Sequence, residues 1–520
     1  MDTWTPAYCI DNIDECKRVL LTPGNWEKVP FLLDRQAAVG TLVRFKGMIQ
    51  DMLNPDYYSK TFSVVNSLTN ETKVYQGKFS SAVRSKEDEE IHFGDDLMER
   101  LPVACIPIPG LNDWVKNVES SNGLNETELE ENFAKRIRLD PTCQKRSNEV
   151  FVLIYPEDVD SNELKLNRVV DVIGFYDHQY VNTDDESQEQ PLDVKASYCV
   201  HAIHIKFQPD PVLCGSQLTE KCIWEEASKI QEELKLVLTQ ALLGDSLAAN
   251  YLLFNLVSTI YNRQNNQVPG KFALNIRGIP QDIVVDYTSK LYSLISCLVE
   301  KSKYFPITID NMNNTDLIPR KCYTTNRLLN GFLQLSSKTH LVLDETNLNP
   351  GKLENKGMLN LQAINDIISN QQVKYDFMYY TIDYETEISV LTLSNGKSLF
   401  PFDIDIVFKP DPSCIGNIEE TIGSAQTYLN SQSSLLEKIR KYITIISSMD
   451  FNFNEDILKI IENDYVAMRK ADPKNVSPDD LHRFMVISKL IALCSGKNEL
   501  NKEIWESCKA LESERKIRNK

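Results

Sequence analysis

At 520 residues the chain has room for two to four domains of the usual size, about 100–200 residues each. A composition of 42% hydrophobic and 25% charged residues is that of an ordinary globular protein. Its formal charge of −18 repels phosphate backbones, which argues against an extended nucleic-acid-binding face and makes protein the default partner.

The amino terminus, MDTWTPAYCIDNIDECKRV, carries acids and no basic-then-apolar leader. No run of about 18 uncharged apolar residues occurs anywhere, so the expectation is an intracellular chain with no membrane partner. Twelve cysteines are scattered singly, Cys9, Cys105, Cys214, Cys322 and Cys494 among them, with no C-x-x-C pair. That pattern predicts reduced, mostly buried thiols and argues against a disulfide framework or a zinc ribbon. His201 and His204 are the only close histidines. On a strand they face opposite ways, and no metal site is expected.

In chain order, residues 1–40 read as a helical or extended segment. The next region, 41–212, is β-like. TLVRFKGMIQDML alternates Val43, Phe45 and Ile49 with Arg44, Lys46 and Gln50, predicting a half-buried strand curled at Gly47. KTFSVVN, TKVYQGKF, VACIPIPG, EVFVLIYP, VVDVIGFYD and YCVHAIHIKF are further strands. Polar inserts NVESSNGLNETELEENF and VNTDDESQEQPLD read as mobile loops. The pattern suits a small barrel of oligonucleotide-binding (OB) type and equally any antiparallel barrel or sandwich.

Region 216–412 alternates helical and strand patterns, with KFALNIRGIP, THLVLDET and EISVLTLS as strands, and predicts an α/β domain with a largely parallel sheet. Region 424–520 has no strand signal. It reads as amphipathic helices, one opened by Ser477, Pro478 and Asp479 as cap, first-turn proline and first-turn acid.

Two stretches suggest a nucleotide site. QALLGDSLAANYLLFNLV reads as a strand ending, a Gly244-Asp245 turn and an apolar helix, the layout of a phosphate-binding strand–loop–helix. The pattern G-x-x-x-x-G-K-[ST] would need Gly, Lys and Ser/Thr where Ala249, Asn250 and Tyr251 stand. HLVLDET closes an apolar strand on Asp344 and Glu345, a layout in which the acids hold Mg²⁺ and position water. The plainer readings are a left-handed turn with a helix start and a polar strand end.

GDSLAANYLL, CYTTNRLLNGFLQLSSKTHLVLDETNLNPGKL, NLQAINDIISNQQVKYDF, VRFKGMIQDMLNPDYY and CIPIPGLNDWVK together resemble the mini-chromosome maintenance (MCM) complex-binding protein family. That family is similar in layout to MCM helicase subunits, so the resemblance implies an OB-like barrel, a degenerate AAA+-like α/β core and a C-terminal helical lid. Against the helicase loop G-D-P-G-x-A-K-S, Leu247 stands where backbone must approach phosphate, Asn250 replaces the cation and Tyr251 replaces the small Mg²⁺-binding hydroxyl. The trans-acting arginine falls at Pro401 and a lid arginine at Asp479, which reverses the local charge. Asp344, Glu345 and Ser394-Asn395, near the sensor asparagine, are retained.

The resemblance therefore implies a non-enzymatic, cofactor-free pseudo-ATPase, nuclear, that binds MCM helicase subunits and reaches chromatin only through them. It further implies a part in replication, in assembling or unloading the complex, and in sister-chromatid cohesion. The alternatives are a divergent ATPase using Lys271 or a partner's lysine, and a single-strand-binding module using Arg44 and Lys46. Both basic residues more often mark a solvated strand face.

Overall fold

The computed structural model describes residues 1, 4–32, 37–66, 71–82, 89–121, 149–177, 198–208, 220–263, 268–281, 284–324, 326–473 and 476–519. Most of both polar inserts falls outside them, with the acidic patches Glu126–Glu131 and Asp184–Glu189 and the basic KRIR at 135–138. The chain divides into two compact units, one of Met1–Pro109, Val115–Asp210 and Pro319–Asn330, the other of Gly110–Trp114, Pro211–Ile318 and Gly331–Lys520.

In the first unit the strands are β1 (Leu42–Met52), β2 (Asp56–Ser59), β3 (Thr61–Asn66), β4 (Thr72–Gln76), β5 (Glu89–Phe93), β6 (Leu97–Ile106), β7 (Val150–Ile154), β8 (Val169–Asp177) and β9 (Tyr198–Phe207). Five of them run β1-β8-β9-β7-β6, and a further β1–β6 pairing closes the ring into a barrel. All neighbours are antiparallel except β7 and β9. β1 makes the closure by pairing with β8 through Leu42–Met48 and with β6 through Met48–Met52. Gly47 sits at this changeover, where an added Cβ would lie 2.7 Å from the Phe45 ring and 2.8 Å from the Ile106 carbonyl oxygen. Only glycine lets the strands approach that closely. β3, β4 and β5 form a separate small sheet.

Val43, Phe45, Ile49, Val103, Val152, Val172 and Val200 fill one cluster of the barrel. Leu42, Ile173, Phe175 and Ile203 point the other way, into a second cluster with Cys9, Ile10, Cys16, Leu20 and Trp26. Those last residues come from the helices Pro6–Asp11 and Ile13–Leu21 and the turn after them, the first capped by the Thr5 hydroxyl with Pro6 in its first turn. β1 is thus covered on both faces, and the expectation of a half-buried strand is corrected: Gln50 and Asp51 are buried. Arg44 is not a solvated cation either. Its Nε and Nη2 donate to Asp171 at 2.9 and 2.5 Å, and Trp26 Nε1 donates to the same carboxylate at 3.0 Å.

The second unit begins its sheet with β10 (Leu274–Arg277) and β11 (Ser302–Pro306). The chain then supplies a hairpin to the first unit, β12 (Arg320–Cys322) and β13 (Arg327–Leu329), whose Arg327 bonds Asp51 and Glu149. It continues with β14 (Thr339–Asp344), β15 (Gln372–Asp376), β16 (Thr381–Glu385), β17 (Ile388–Ser394) and β18 (Ile404–Val407). Five strands in the order β11-β14-β17-β10-β18 form an all-parallel sheet. Burial on both faces accounts for the consecutive apolar residues Leu341–Leu343 of β14 and Val390–Leu391 of β17. After Val407 the described elements are helices, the longest being Ile418–Ser431, Ser433–Ser448, Glu455–Ala471, Pro478–Cys494 and Lys502–Arg518. They share one apolar core with the sheet and with the helices Ala227–Ala241 and Ser246–Val257.

Asp171 is almost fully buried, and it answers both a guanidinium and an indole N–H in the barrel wall. Asp171→Ala should therefore cost about 3–5 kcal/mol, the usual penalty for stranding a buried charge. Urea denaturation of the full chain, followed by Trp fluorescence, measures it.

Candidate functional site at the carboxyl ends of the parallel sheet

In an open parallel sheet ligands bind where strand order reverses, outside the carboxyl ends of two neighbouring strands. Here the chain leaves β10 toward β11 on one side and leaves β17 toward β18 on the other, so that crevice lies between β10 and β17. β10 ends in the turn Gly278-Ile279-Pro280-Gln281, and the helix Val284–Leu298 follows. Gly278 has φ +84°, and its N–H donates to the Ser394 carbonyl at the end of β17 at 2.8 Å.

Asp344, Glu345 and Asn395 gather at the same end. The Asp344 carboxylate accepts from the Thr346 N–H at 2.9 Å, from the Thr346 hydroxyl at 2.5 Å and from the Tyr304 hydroxyl. Glu345 accepts from the Ser398 hydroxyl at 3.0 Å and the Leu399 N–H at 3.1 Å. Burial pushes its carboxyl up to about 6, against the pull of those hydrogen bonds. Asn395 Nδ2 donates to the Thr346 carbonyl at 2.7 Å, while its buried Oδ1 meets no donor among the described residues. Both acids are thus engaged in holding their own loops.

The Gly244–Tyr251 stretch lies elsewhere, and its expected strand ending is corrected to helix. Ala227–Ala241 is helical almost up to Gly244, and the next helix, Ser246–Val257, leaves at a bend of 118°. A short apolar run such as ALL reads alike in a buried strand and a buried helix, and here packing on the helical core decides. Asp245 caps the second helix through the Ala248 N–H at 3.0 Å, accepts from the Lys409 N–H at 2.8 Å and is gripped by the Arg518 guanidinium. Leu247 is in the core and Asn250 is half-buried. Tyr251 is fully buried and donates to Glu512 at 2.5 Å, and burial raises its hydroxyl. Burial also works to raise Glu512, but hydrogen bonds from Arg515 at 2.8 and 2.9 Å hold it below the usual carboxylate range.

The remaining expected positions do not join the crevice residues through any described hydrogen bond or ion pair. Pro401 and Asp479 are exposed. The neighbour of Asp479, Asp480, completes the capping box with Ser477 and pairs with Arg483 and Lys516. Lys271 precedes β10, at the amino ends of the strands, and pairs with Asp403 at 2.7 Å. The turn at Gly278 is an element that motif matching passes over, although KFALNIRGIP followed by VVDYTSKLYSLI carries its signal, an apolar strand breaking on Gly before an amphipathic helix. Counted from Gly278, the positions for Gly, Lys and Ser/Thr hold Ile283, Val284 and Val285.

One further polar cluster, in the first unit, had no local signal. Asp177, Cys199 and His201 offer ligand atoms within 4.8 Å of one another. Both His201 ring nitrogens are already hydrogen-bonded, one to the Tyr155 hydroxyl and the other to the Ser81 hydroxyl, each at 2.9 Å. Burial lowers the imidazole's pKa.

The family model described as mini-chromosome maintenance replisome factor matches residues 16–150 and 125–519. The chain belongs to this MCM-binding family. Among its relatives, the mini-chromosome maintenance complex-binding protein of Drosophila melanogaster is 32% identical, over 96% of this chain and 94% of its own length. The proteins of the same name from Gallus gallus and Homo sapiens are 31% and 30% identical, covering 95% and 92% of this chain and 91% and 88% of their own lengths. As the matched lengths agree closely, this family member is similar to its relatives in both units.

Two outcomes follow from the buried carboxylates. Arg518→Ala should leave Asp245 buried without its cation and cost about 3 kcal/mol, seen as a lower Tm in calorimetry. Glu345 has a folded pKa above its ordinary 4.5, so its ionisation opposes folding. The penalty is absent below pH 4.5, grows as pH rises and is complete above about 6, where it amounts to about 2 kcal/mol. Glu345→Gln should flatten the stability profile across that window in urea titrations.

Proposed function

We propose that this chain is a non-enzymatic partner of the MCM helicase, a pseudo-subunit that offers a subunit-like surface without completing an ATP site. The observation that carries the reading is the match along nearly the whole chain to relatives named for binding the mini-chromosome maintenance complex. The closed five-stranded barrel supports an OB-like first unit. The parallel sheet, with a turn and helix after β10 at the switch point, supports a degenerate AAA+-like second unit under a helical lid.

Loss of catalysis is the economical reading of the crevice. The strand–turn–helix at Gly278 carries Val284 and Val285 in place of the lysine and hydroxyl that bind phosphate and Mg²⁺. The acids that would hold the metal are tied to Thr346, Tyr304, Ser398 and Leu399. An AAA+ site is shared between neighbours, so a look-alike in a ring would leave two interfaces without a working site. In this reading the chain acts in the nucleus, reaches chromatin through the helicase, and contributes to its assembly or unloading and to sister-chromatid cohesion.

Of the two replacement cations open to the divergent-ATPase reading, Lys271 is bound to Asp403 at the wrong end of the strands, which leaves that reading a partner's lysine alone. The single-strand-binding reading loses Arg44 to Asp171, and the chain's charge of −18 opposes it. Purified chain mixed with each helicase subunit at micromolar concentration should co-elute with at least one of them on gel filtration, and failure with all of them refutes the reading. Calorimetry with Mg-ATP should give no saturable micromolar binding; such binding, abolished by Asp344→Ala, would restore the enzyme.

A further inference from the structure

The β15–β16 hairpin ends in a turn that presents apolar groups to solvent. Met378 is 54% exposed, Tyr379 81% and Tyr380 55%, and Ile382 on β16 is exposed beside them. Large side chains so exposed and so close in sequence form a patch rather than the usual scatter.

The patch is held in shape. Phe377 and Tyr380 stack with ring centroids 5.1 Å apart and planes 7° from parallel. The Phe377 N–H donates to the Tyr380 carbonyl at 3.0 Å, the Tyr379 N–H to the Phe377 carbonyl at 2.7 Å, and the Met378 N–H to Asp376 at 2.7 Å. Below the turn the strands pair in register from Gln372–Glu385 to Asp376–Thr381, with Tyr375 against Tyr384 at 4.5 Å. Met378 takes φ +64°, a left-handed conformation that is strained for a residue with a Cβ. Glycine is the ordinary choice there, so a long apolar side chain held at this φ, with tyrosines on a fixed frame, has the make-up of a preorganised binding element.

Charge selects the occupant. The hairpin carries Asp376, Asp383 and Glu385 against Lys374, and Lys374 faces Asp366 at 3.6 Å. Asp383 stands opposite Lys374 and Glu385 lies 3.9 Å from Arg263 at the base, but three acids against one lysine leave the hairpin net negative, which repels a phosphate backbone and complements a basic protein surface.

We propose that the Phe377–Tyr380 turn is a docking element that inserts its aromatic and methionine side chains into an apolar pocket on a basic surface of a helicase subunit. This rests on the helicase-binding function proposed above. The test uses the full chain, the subunit that co-elutes with it, and the variants Tyr379→Ser and Met378→Gly. Each variant should weaken binding at least tenfold, as hot-spot truncations do. Wild-type affinity should fall as salt rises, and Met378→Gly should keep or raise the Tm, because glycine accepts the positive φ. Variants that bind the subunit as tightly as wild type overturn the docking role and leave helicase binding standing. A wild type that binds no subunit removes both. If the variants lose affinity for a single-stranded oligonucleotide and keep it for the subunit, the occupant is nucleic acid and the proposal is wrong.

Discussion

The second unit is organised around one buried carboxylate. Asp245 closes the start of the Ser246–Val257 helix, accepts the N–H of Lys409 beyond β18, and pairs with Arg518 near the end of the chain. Three segments far apart in sequence converge on its two oxygens. A carboxylate this deep is tolerable only when donors surround it, and losing any one would expose the rest of the group's desolvation cost. Tyr251, two turns along the same helix, repeats the arrangement with Glu512 and Arg515. The final helix, Lys502–Arg518, is thereby tied polar-end to polar-end across the helical pair that precedes the sheet. Apolar packing of Leu247, Leu252 and Trp505 supplies the bulk of the core, and the ion pairs fix which helix lies where.

The same logic governs the crevice between β10 and β17. Acids at a strand's carboxyl end can face a metal or cap the adjoining loops, and each lone pair serves only one of these at a time. Asp344 serves Thr346 and Tyr304, and Glu345 serves Ser398 and Leu399. With Val284 and Val285 at the positions where a phosphate-binding loop has its lysine and small hydroxyl, those two positions supply no charge to offset a phosphate's repulsion from these acids.

Legibility varied with how local the cause was. β1, β7, β8, β9, β14 and β17 carry long apolar or alternating runs and could be read directly, as could the Ser477 cap and the Gly47 bend. β2 and β5, DYYS and EEIHF, are short and charged, and only pairing with longer neighbours makes them strands. The Gly244-Asp245 turn has the look of a turn after a strand but joins two helices, whereas the turn that does join a strand to a helix is at Gly278.

Periodicity, charge and the family's idiosyncratic runs are properties of neighbouring residues, so the chain alone determined its α/β class, its helical carboxyl-terminal region and its kinship. Which carboxylate meets which cation is a property of distance in space. Asp245 with Arg518, Asp171 with Arg44 and Trp26, and Arg327 with Asp51 are partners separated by more than a hundred residues, and no local pattern marks them. Only the tertiary structure decided these pairings, because burial makes each group require a partner while the fold alone brings one within reach.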